Sequence, residues 1–277
     1  MPMTKTLGII AGGRQFPFMV AQRAREAGMR VVAVGFSGNT DPALAEVVDV
    51  FEMLHLGQLS RCIKFMKANA ADSVIFAGAI NKPKAMDIRP DLLVAKLLFK
   101  LKDKGDNAIL SRVLDEFESQ GLNVGDPLEF VPGLATPQGP LTAKSPSKAD
   151  FDDLRFAWPR AKAIGELDIG QALLVKAGIV LAVEGPEGTD AAIRRAGELS
   201  SKGCVLCKVY KPGQDMRIDR PAMGLNTVRT MIEAGGTCIG IEAGRSIFFE
   251  QAEALALAEQ HGISIIGLSP EILGIQS

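Results

Sequence analysis

One segment near the amino terminus constrains the fold more than any other. Thr6-Leu7-Gly8-Ile9-Ile10-Ala11 is a short apolar run that suits a buried strand. It leads into Gly12-Gly13-Arg14-Gln15-Phe16-Pro17, and a helical stretch continues to about Ala27 with Gly28 as its stop. Arg30 to Phe36 is a second apolar strand. Two strands joined through a helix run parallel, and such sheets carry helices on their faces. The expected class is α/β, with a Rossmann-like parallel-sheet domain at the amino terminus.

Downstream segments extend the pattern. A helix at about 58–70 precedes a strand at Ser73–Ala77, and two helices are expected over 91–103 and 106–120. Pro132, Gly133, Pro137, Gly139, Pro140 and Pro146 then break all periodicity. The expected organisation is a nucleotide-binding domain over 1–131, a linker over 132–148 and a second α/β domain over 149–277. Two domains of that size suit a chain of 277 residues. The second domain opens with a helix at 149–165, and two apolar segments flanking Ala177-Gly178 predict a hairpin. Thr189 is placed to cap a helix at 190–201. Strands at 204–210, 237–241 and 263–268 alternate with helices at 227–234 and 251–260. A hairpin combined with alternating strands and helices predicts a mixed sheet.

Charge excludes some roles. Lys and Arg number 31 against 32 Asp and Glu, so bulk attraction to nucleic acid is not expected. No apolar run reaches the roughly 20 residues that span a bilayer, and no signal-peptide core is visible, so a cytoplasmic location is expected. Four cysteines do not make a disulfide scaffold; Cys204 and Cys207, in a strand-like segment, read as buried thiols. With only His55 and His261 present, a histidine-rich metal site is excluded.

The first glycine loop stands where α/β folds bind phosphate. It lacks the third glycine of a dinucleotide fingerprint, and the second strand ends Val34-Gly35-Phe36 with no ribose-binding carboxylate. No Gly-Lys-Ser/Thr follows, so it is not a P-loop. Gly12, Gly13 and Arg14 stand as nucleotide or phosphate contacts, against a plain tight turn. Gly78, Asn81 and Lys82 follow the strand at 73–77 and would line the same crevice.

The densest polar chemistry lies at Lys208-Val209-Tyr210-Lys211-Pro212-Gly213-Gln214-Asp215-Met216-Arg217-Ile218-Asp219. If this segment were extended, Asp215, Arg217 and Asp219 would share a face. Two carboxylates about an arginine suit Mg²⁺ and a phosphoryl group; an ordinary surface ion pair is the alternative. Glu184-Gly185-Pro186-Glu187-Gly188-Thr189-Asp190 has a similar character, with Asp168 and Gln171 nearby in sequence.

Taken together, Leu7–Pro17, Asp168-Ile169-Gly170-Gln171, Val183–Asp190 and Lys211–Pro221 resemble, in order and over nearly the whole chain, the LpxI-type UDP-2,3-diacylglucosamine pyrophosphatases. The resemblance implies two domains with the ligand between them. It also implies Mg²⁺-dependent hydrolysis to UMP and 2,3-diacylglucosamine 1-phosphate, within lipid A biosynthesis. The family's essential aspartate falls within 215–219, so Asp215 and Asp219 are both carried as metal ligands and catalytic groups, with Arg217 and Lys208 as charge stabilisers. Gly12, Gly13, Arg14, Gly78, Asn81 and Lys82 would serve the UMP half; Gln171, Glu187, Gly188, Thr189 and Asp190 complete the substrate contacts. The partner is then a lipid-linked UDP-sugar, nucleic acid is not expected, and a homodimer follows from base rates. A nucleotide-sugar transferase and a non-catalytic nucleotide-binding regulator stand as alternatives.

A lipid substrate draws attention to residues 91–104. Val94, Leu97, Leu98 and Leu101 share one helical face, and Lys96, Lys100 and Lys104 line another. Such a helix can lie on an anionic membrane, peripherally at the inner membrane, or simply pack on its own domain.

Overall fold

The computed structural model describes residues 4–80, 89–100 and 106–275, without the side chains of Leu98, Lys100, Asp106 and Asn107. The chain forms two compact units. One comprises Met1–Pro132 with Asp215–Ile218, the other Gly133–Gln214 with Asp219–Ser277.

The first unit contains β1 (Thr6–Ala11), α1 (Phe16–Glu26), β2 (Arg30–Phe36), β3 (Val50–Leu54), α2 (Leu59–Ala68), β4 (Ser73–Ala77), α3 (Leu92–Lys100), α4 (Asp106–Ser119) and β5 (Asn123–Val124). Its strands form one parallel sheet in the order β3-β2-β1-β4-β5. β1 is buried throughout, as a strand covered on both faces must be. In this unit the sequence reading missed β3 and the two-residue β5. β3 lies at the sheet edge and carries Glu52 at its centre, ion-paired with Arg61, so it lacks the continuous apolar run of β1 and β2. Ile10, Val34, Met66, Val74 and Phe117 build the core, with Phe117 edge-on to Phe76 at 5.5 Å. Val94 and Leu97 of α3 pack on this core, as does Ile218. The apolar face expected at 94–101 is therefore a packing face as far as it is described; Leu98 by its side chain and Leu101 altogether lie outside the described residues.

The second unit contains β6 (Gly139–Pro140), α5 (Lys148–Glu166), β7 (Ala172–Lys176), β8 (Ile179–Val183), α6 (Thr189–Ser200), β9 (Val205–Lys208), β10 (Ala222–Met223), α7 (Leu225–Glu233), β11 (Cys238–Glu242), β12 (Ile247–Phe248), α8 (Gln251–Gln260), β13 (Ser264–Leu268) and α9 (Pro270–Leu273). Its main sheet is mixed, in the order β6-β13-β11-β9-β7-β8. β9, β11 and β13 are parallel, and β7 and β8 form the expected antiparallel hairpin. β10 and β12 make a separate two-stranded parallel sheet. The period of two sends alternate residues to opposite faces. Leu174, Leu206 and Ile239 meet Ile193, Val228 and Phe248 on one side; Leu173, Val205 and Cys207 meet Leu154 and Trp158 of α5 on the other. α5 begins in a reciprocal capping box between Ser147 and Asp150. Cys204 and Cys207 are buried free thiols, and burial raises the pKa of both.

Candidate active site

In the first unit the sheet order reverses direction between β1 and β4, because β2 and β3 are added on one side of β1 and β4 and β5 on the other. Ligands of open α/β sheets bind outside the carboxyl ends of the strands at such a point. The loops that leave β1 and β4 meet there. Gly12 N–H donates to the Ala77 carbonyl at 2.8 Å and Gly13 N–H to that of Ala79 at 2.7 Å. A Cβ at Gly12 would lie 2.4 Å from the Gly78 carbonyl oxygen, and Gly78 itself has φ +96°. The glycines thus allow two backbones to cross closely. The Gly12 and Gly13 N–H groups are thus engaged by the neighbouring loop. Arg14, next in sequence, is exposed at φ 68°, a left-handed conformation uncommon for a side-chain-bearing residue. Asn81 and Lys82 lie outside the described residues.

The tetrapeptide Asp215–Ile218 adds to the same unit. Residues 216–218 form a turn, so Asp215, Arg217 and Asp219 do not alternate along a strand as expected. Asp215 instead bends the chain: its Oδ1 accepts from the Arg217 N–H at 2.9 Å. The Arg217 guanidinium then reaches Asp215 Oδ1 through Nε at 3.0 Å and Oδ2 through Nη2 at 2.7 Å. Its Nη1 donates to Glu118 Oε1 at 2.5 Å and to the Val124 carbonyl at the end of β5 at 3.3 Å. The hydrogen bonds that Arg217 donates to Asp215 and Glu118 raise its pKa further, against its partial burial. Glu118 is 99 residues away in sequence and no local signal marks it.

In the second unit, the carboxyl ends of β8, β9 and β11 and the amino end of β7 form one sheet rim. Glu184 and Lys208 are buried there at 8% and 6% exposure, so each charge needs partners. Thr189 supplies one to both. Its hydroxyl donates to Glu184 Oε1 at 2.5 Å and accepts from Lys208 Nζ at 2.8 Å. Lys208 Nζ also donates to the Ala222 carbonyl at 2.8 Å. This corrects Thr189 as a helix cap: the cap position is Gly188, at φ 85°, and no side chain caps α6. Glu184 Oε2 accepts from the Gln171 N–H at 3.3 Å, while Gln171 Oε1 is buried without a hydrogen-bond partner.

Beside this rim lies a second cluster that the sequence did not reveal. Glu242 Oε2, at the end of β11, accepts from the Tyr210 N–H at 2.8 Å and from Lys162 Nζ at 2.5 Å. Lys162 also donates to the Tyr210 carbonyl at 2.9 Å. Burial lowers the Lys162 pKa, with Glu242 opposing. Lys211 pairs with Asp168 at 2.7 Å. Further out, Glu187 pairs with Arg195 at 3.0 Å, and Asp190 accepts from Asn226 at 2.6 Å. The Gln214 side-chain amide donates to Asp219 Oδ2. Among the described residues no group of three His, Cys, Asp or Glu side chains gathers to hold a metal ion.

Comparison with known proteins covers nearly the whole chain. Residues 6–134 match the LpxI N-terminal domain family and residues 137–266 the LpxI C-terminal domain family. UDP-2,3-diacylglucosamine pyrophosphatase LpxI of Caulobacter vibrioides is 34% identical over 280 residues, spanning 96% of this chain and 99% of its own. Among solved structures, an ADP complex of purK, N5-carboxyaminoimidazole ribonucleotide synthetase, is 18% identical over 62% of this chain at a TM-score of 0.30. A Rhizobium etli pyruvate carboxylase is 13% identical over 47% at 0.27. The chain spans only 32% and 12% of those two proteins, and likenesses so slight bear on neither fold nor function.

Proposed function

Because the chain belongs to the LpxI family, we propose that it is a hydrolase that cleaves the pyrophosphate bond of UDP-2,3-diacylglucosamine in lipid A biosynthesis, releasing UMP and 2,3-diacylglucosamine 1-phosphate. The observation that carries this reading is the match, over 96% of the chain, to a pyrophosphatase of that name.

The residues suggest a division of labour. Arg14 and the loops about Gly12, Gly13 and Gly78 stand at the sheet's switch point, the place that suits the UMP half. Lys208 has two of its three N–H donors engaged, which leaves one for a phosphoryl oxygen. Gln171 brings a buried amide oxygen in want of a donor, a role a sugar hydroxyl fills. Arg217, already held by two carboxylates, serves to fix the 215–218 turn rather than to grip phosphate.

A Mg²⁺ ion fits this donor set if the substrate supplies most of the ligands. Mg²⁺ keeps several waters and needs only one or two protein carboxylates beside phosphate oxygens. Asp215 is balanced by Arg217 on both oxygens, whereas Asp219 accepts from the neutral amide of Gln214. Both carboxylates stand as candidates to hold the ion, and Asp215 also anchors the turn. When bound, Mg²⁺ neutralises the diphosphate and lowers the pKa of a coordinated water. No described helix is long and apolar enough to cross a membrane. A peripheral contact from the cytoplasmic side, and a homodimer, complete the proposal.

UMP release from UDP-2,3-diacylglucosamine, titrated with Mg²⁺ and with EDTA as control, tests the reading. Metal-dependent release of both products supports it. Nucleotide binding without release refutes hydrolysis and favours a binding role.

A further inference from the structure

Helix α3 is apolar on two opposite sides. At 100° per residue, Leu93, Val94 and Leu97 fall on one side, and Leu92, Ala95, Lys96 and Phe99 on the other. The first set is partly buried, and Val94 and Leu97 pack on the core. The second set is exposed: Leu92 is 81% and Phe99 92% accessible. These two large side chains are seven residues apart, so they lie one above the other with Lys96 between them. Single exposed apolar residues need no explanation. Two in register on a helix already packed on its other face do.

The charge of this stretch, read in sequence, and of its described side chains selects the occupant. In sequence, residues 82–104 hold seven Lys or Arg against three Asp, while the rest of the chain holds 24 against 29. Asp91, the acid nearest the helix start, is turned inward. Its Oδ1 accepts from the Val94 N–H at 2.9 Å and its Oδ2 from the Ser60 N–H at 2.7 Å. Exposed Arg89 and Lys96 then frame the apolar pair without an exposed acid among the described residues of α3. A basic stretch with exposed apolar side chains, in an otherwise acidic chain, suits an anionic lipid surface.

We propose that the outward face of α3, with Leu92 and Phe99 as its inserted side chains and Lys96 at headgroup level, docks this protein on an anionic bilayer. The inference deepens the proposed lipid hydrolase and rests on it only for the reason to be at a membrane. Docking would deliver the enzyme to a substrate whose acyl chains hold it in the bilayer.

The test is co-flotation with phosphatidylcholine vesicles, with and without phosphatidylglycerol, at low and high salt. Phe99→Glu and Lys96→Glu are compared with wild type. Because Phe99 is almost fully exposed, Phe99→Glu should leave thermal unfolding unchanged, and turnover of detergent-dispersed substrate as well. Expected is salt-sensitive flotation with phosphatidylglycerol only, weakened about tenfold or more by Phe99→Glu, the scale for losing one buried phenyl ring. Wild type that fails to float, or a Phe99→Glu variant that floats equally, overturns the proposal. So does a wild-type dimer that Phe99→Glu converts to monomer, since a second copy then covers this face. Flotation requires no turnover, so failure of the hydrolase reading would be seen separately.

Discussion

Thr189→Val isolates the smallest group on which the second unit's buried charges depend. Valine has nearly the shape of threonine, so packing is kept while the hydroxyl is lost. That hydroxyl makes two hydrogen bonds to charged partners, at 2.5 Å to Glu184 and 2.8 Å from Lys208. Hydrogen bonds to charged groups contribute about 1.5–3 kcal/mol each, which sets an upper range of about 3–6 kcal/mol. Both ions keep a second partner, since Gln171 still donates to Glu184 and Lys208 still donates to Ala222. Their opposite charges also still attract across the gap. A loss of about 2–4 kcal/mol is the expected result. Thr189→Ser keeps the hydroxyl and removes one methyl, for about 1 kcal/mol. Urea unfolding monitored by circular dichroism measures both, with an unchanged slope as the sign that only stability has moved. The reasoning is refuted if Thr189→Val lies within about 0.5 kcal/mol of wild type, or if serine is as damaging as valine.

Two further expectations follow from the same kind of accounting. Alanine at Asp215 or at Asp219 should lower kcat of UMP release by about two orders of magnitude or more where that carboxylate holds the ion, and Asp215→Ala should in addition loosen the turn and lower stability; steady-state kinetics with thermal melts distinguishes them, and near-normal turnover of both variants would falsify the assignment. Asp91→Ala should cost about 1 kcal/mol by removing the cap of α3. Burial raises the Asp91 pKa, but the N–H groups of Val94 and Ser60 outweigh it and hold the value below its ordinary 3.8. The stabilisation is then complete above 3.8 and fades as pH falls through the depressed folded value, so the wild-type and Asp91→Ala urea midpoints should converge only in acid.

Much of the architecture was legible because it rests on local pattern. The continuous apolar runs of β1 and β2 and the glycine turn between them declare a parallel unit, and the paired segments about Ala177-Gly178 declare a hairpin. β3 escaped because an edge strand needs less apolar continuity. The site was legible mainly as a composition of polar residues, and less as a geometry. Thr189 sits beside a good capping position, but Glu184 and Lys208 compete for its hydroxyl, and glycine takes the cap. Asp215, Arg217 and Asp219 have strand-like spacing, but an Asx turn at Asp215 overrides it. Glu118, Lys162 and Glu242 were invisible because their partners are 99, 80 and 32 residues away, beyond any pattern a window can detect.

The tetrapeptide Asp215–Ile218 has a consequence for how this chain can be divided or recombined. The polypeptide passes from the first unit to the second after Pro132, returns at Asp215 and leaves again after Ile218. A fragment ending near residue 132 would keep all five parallel strands and still lack the isoleucine that packs on their core and the arginine that closes the end of β5. Chimaeras joined at that boundary would inherit one parent's sheet with the other parent's tetrapeptide. The two halves are therefore not independent modules, and exchange between relatives should succeed only when these four residues travel with the amino-terminal half.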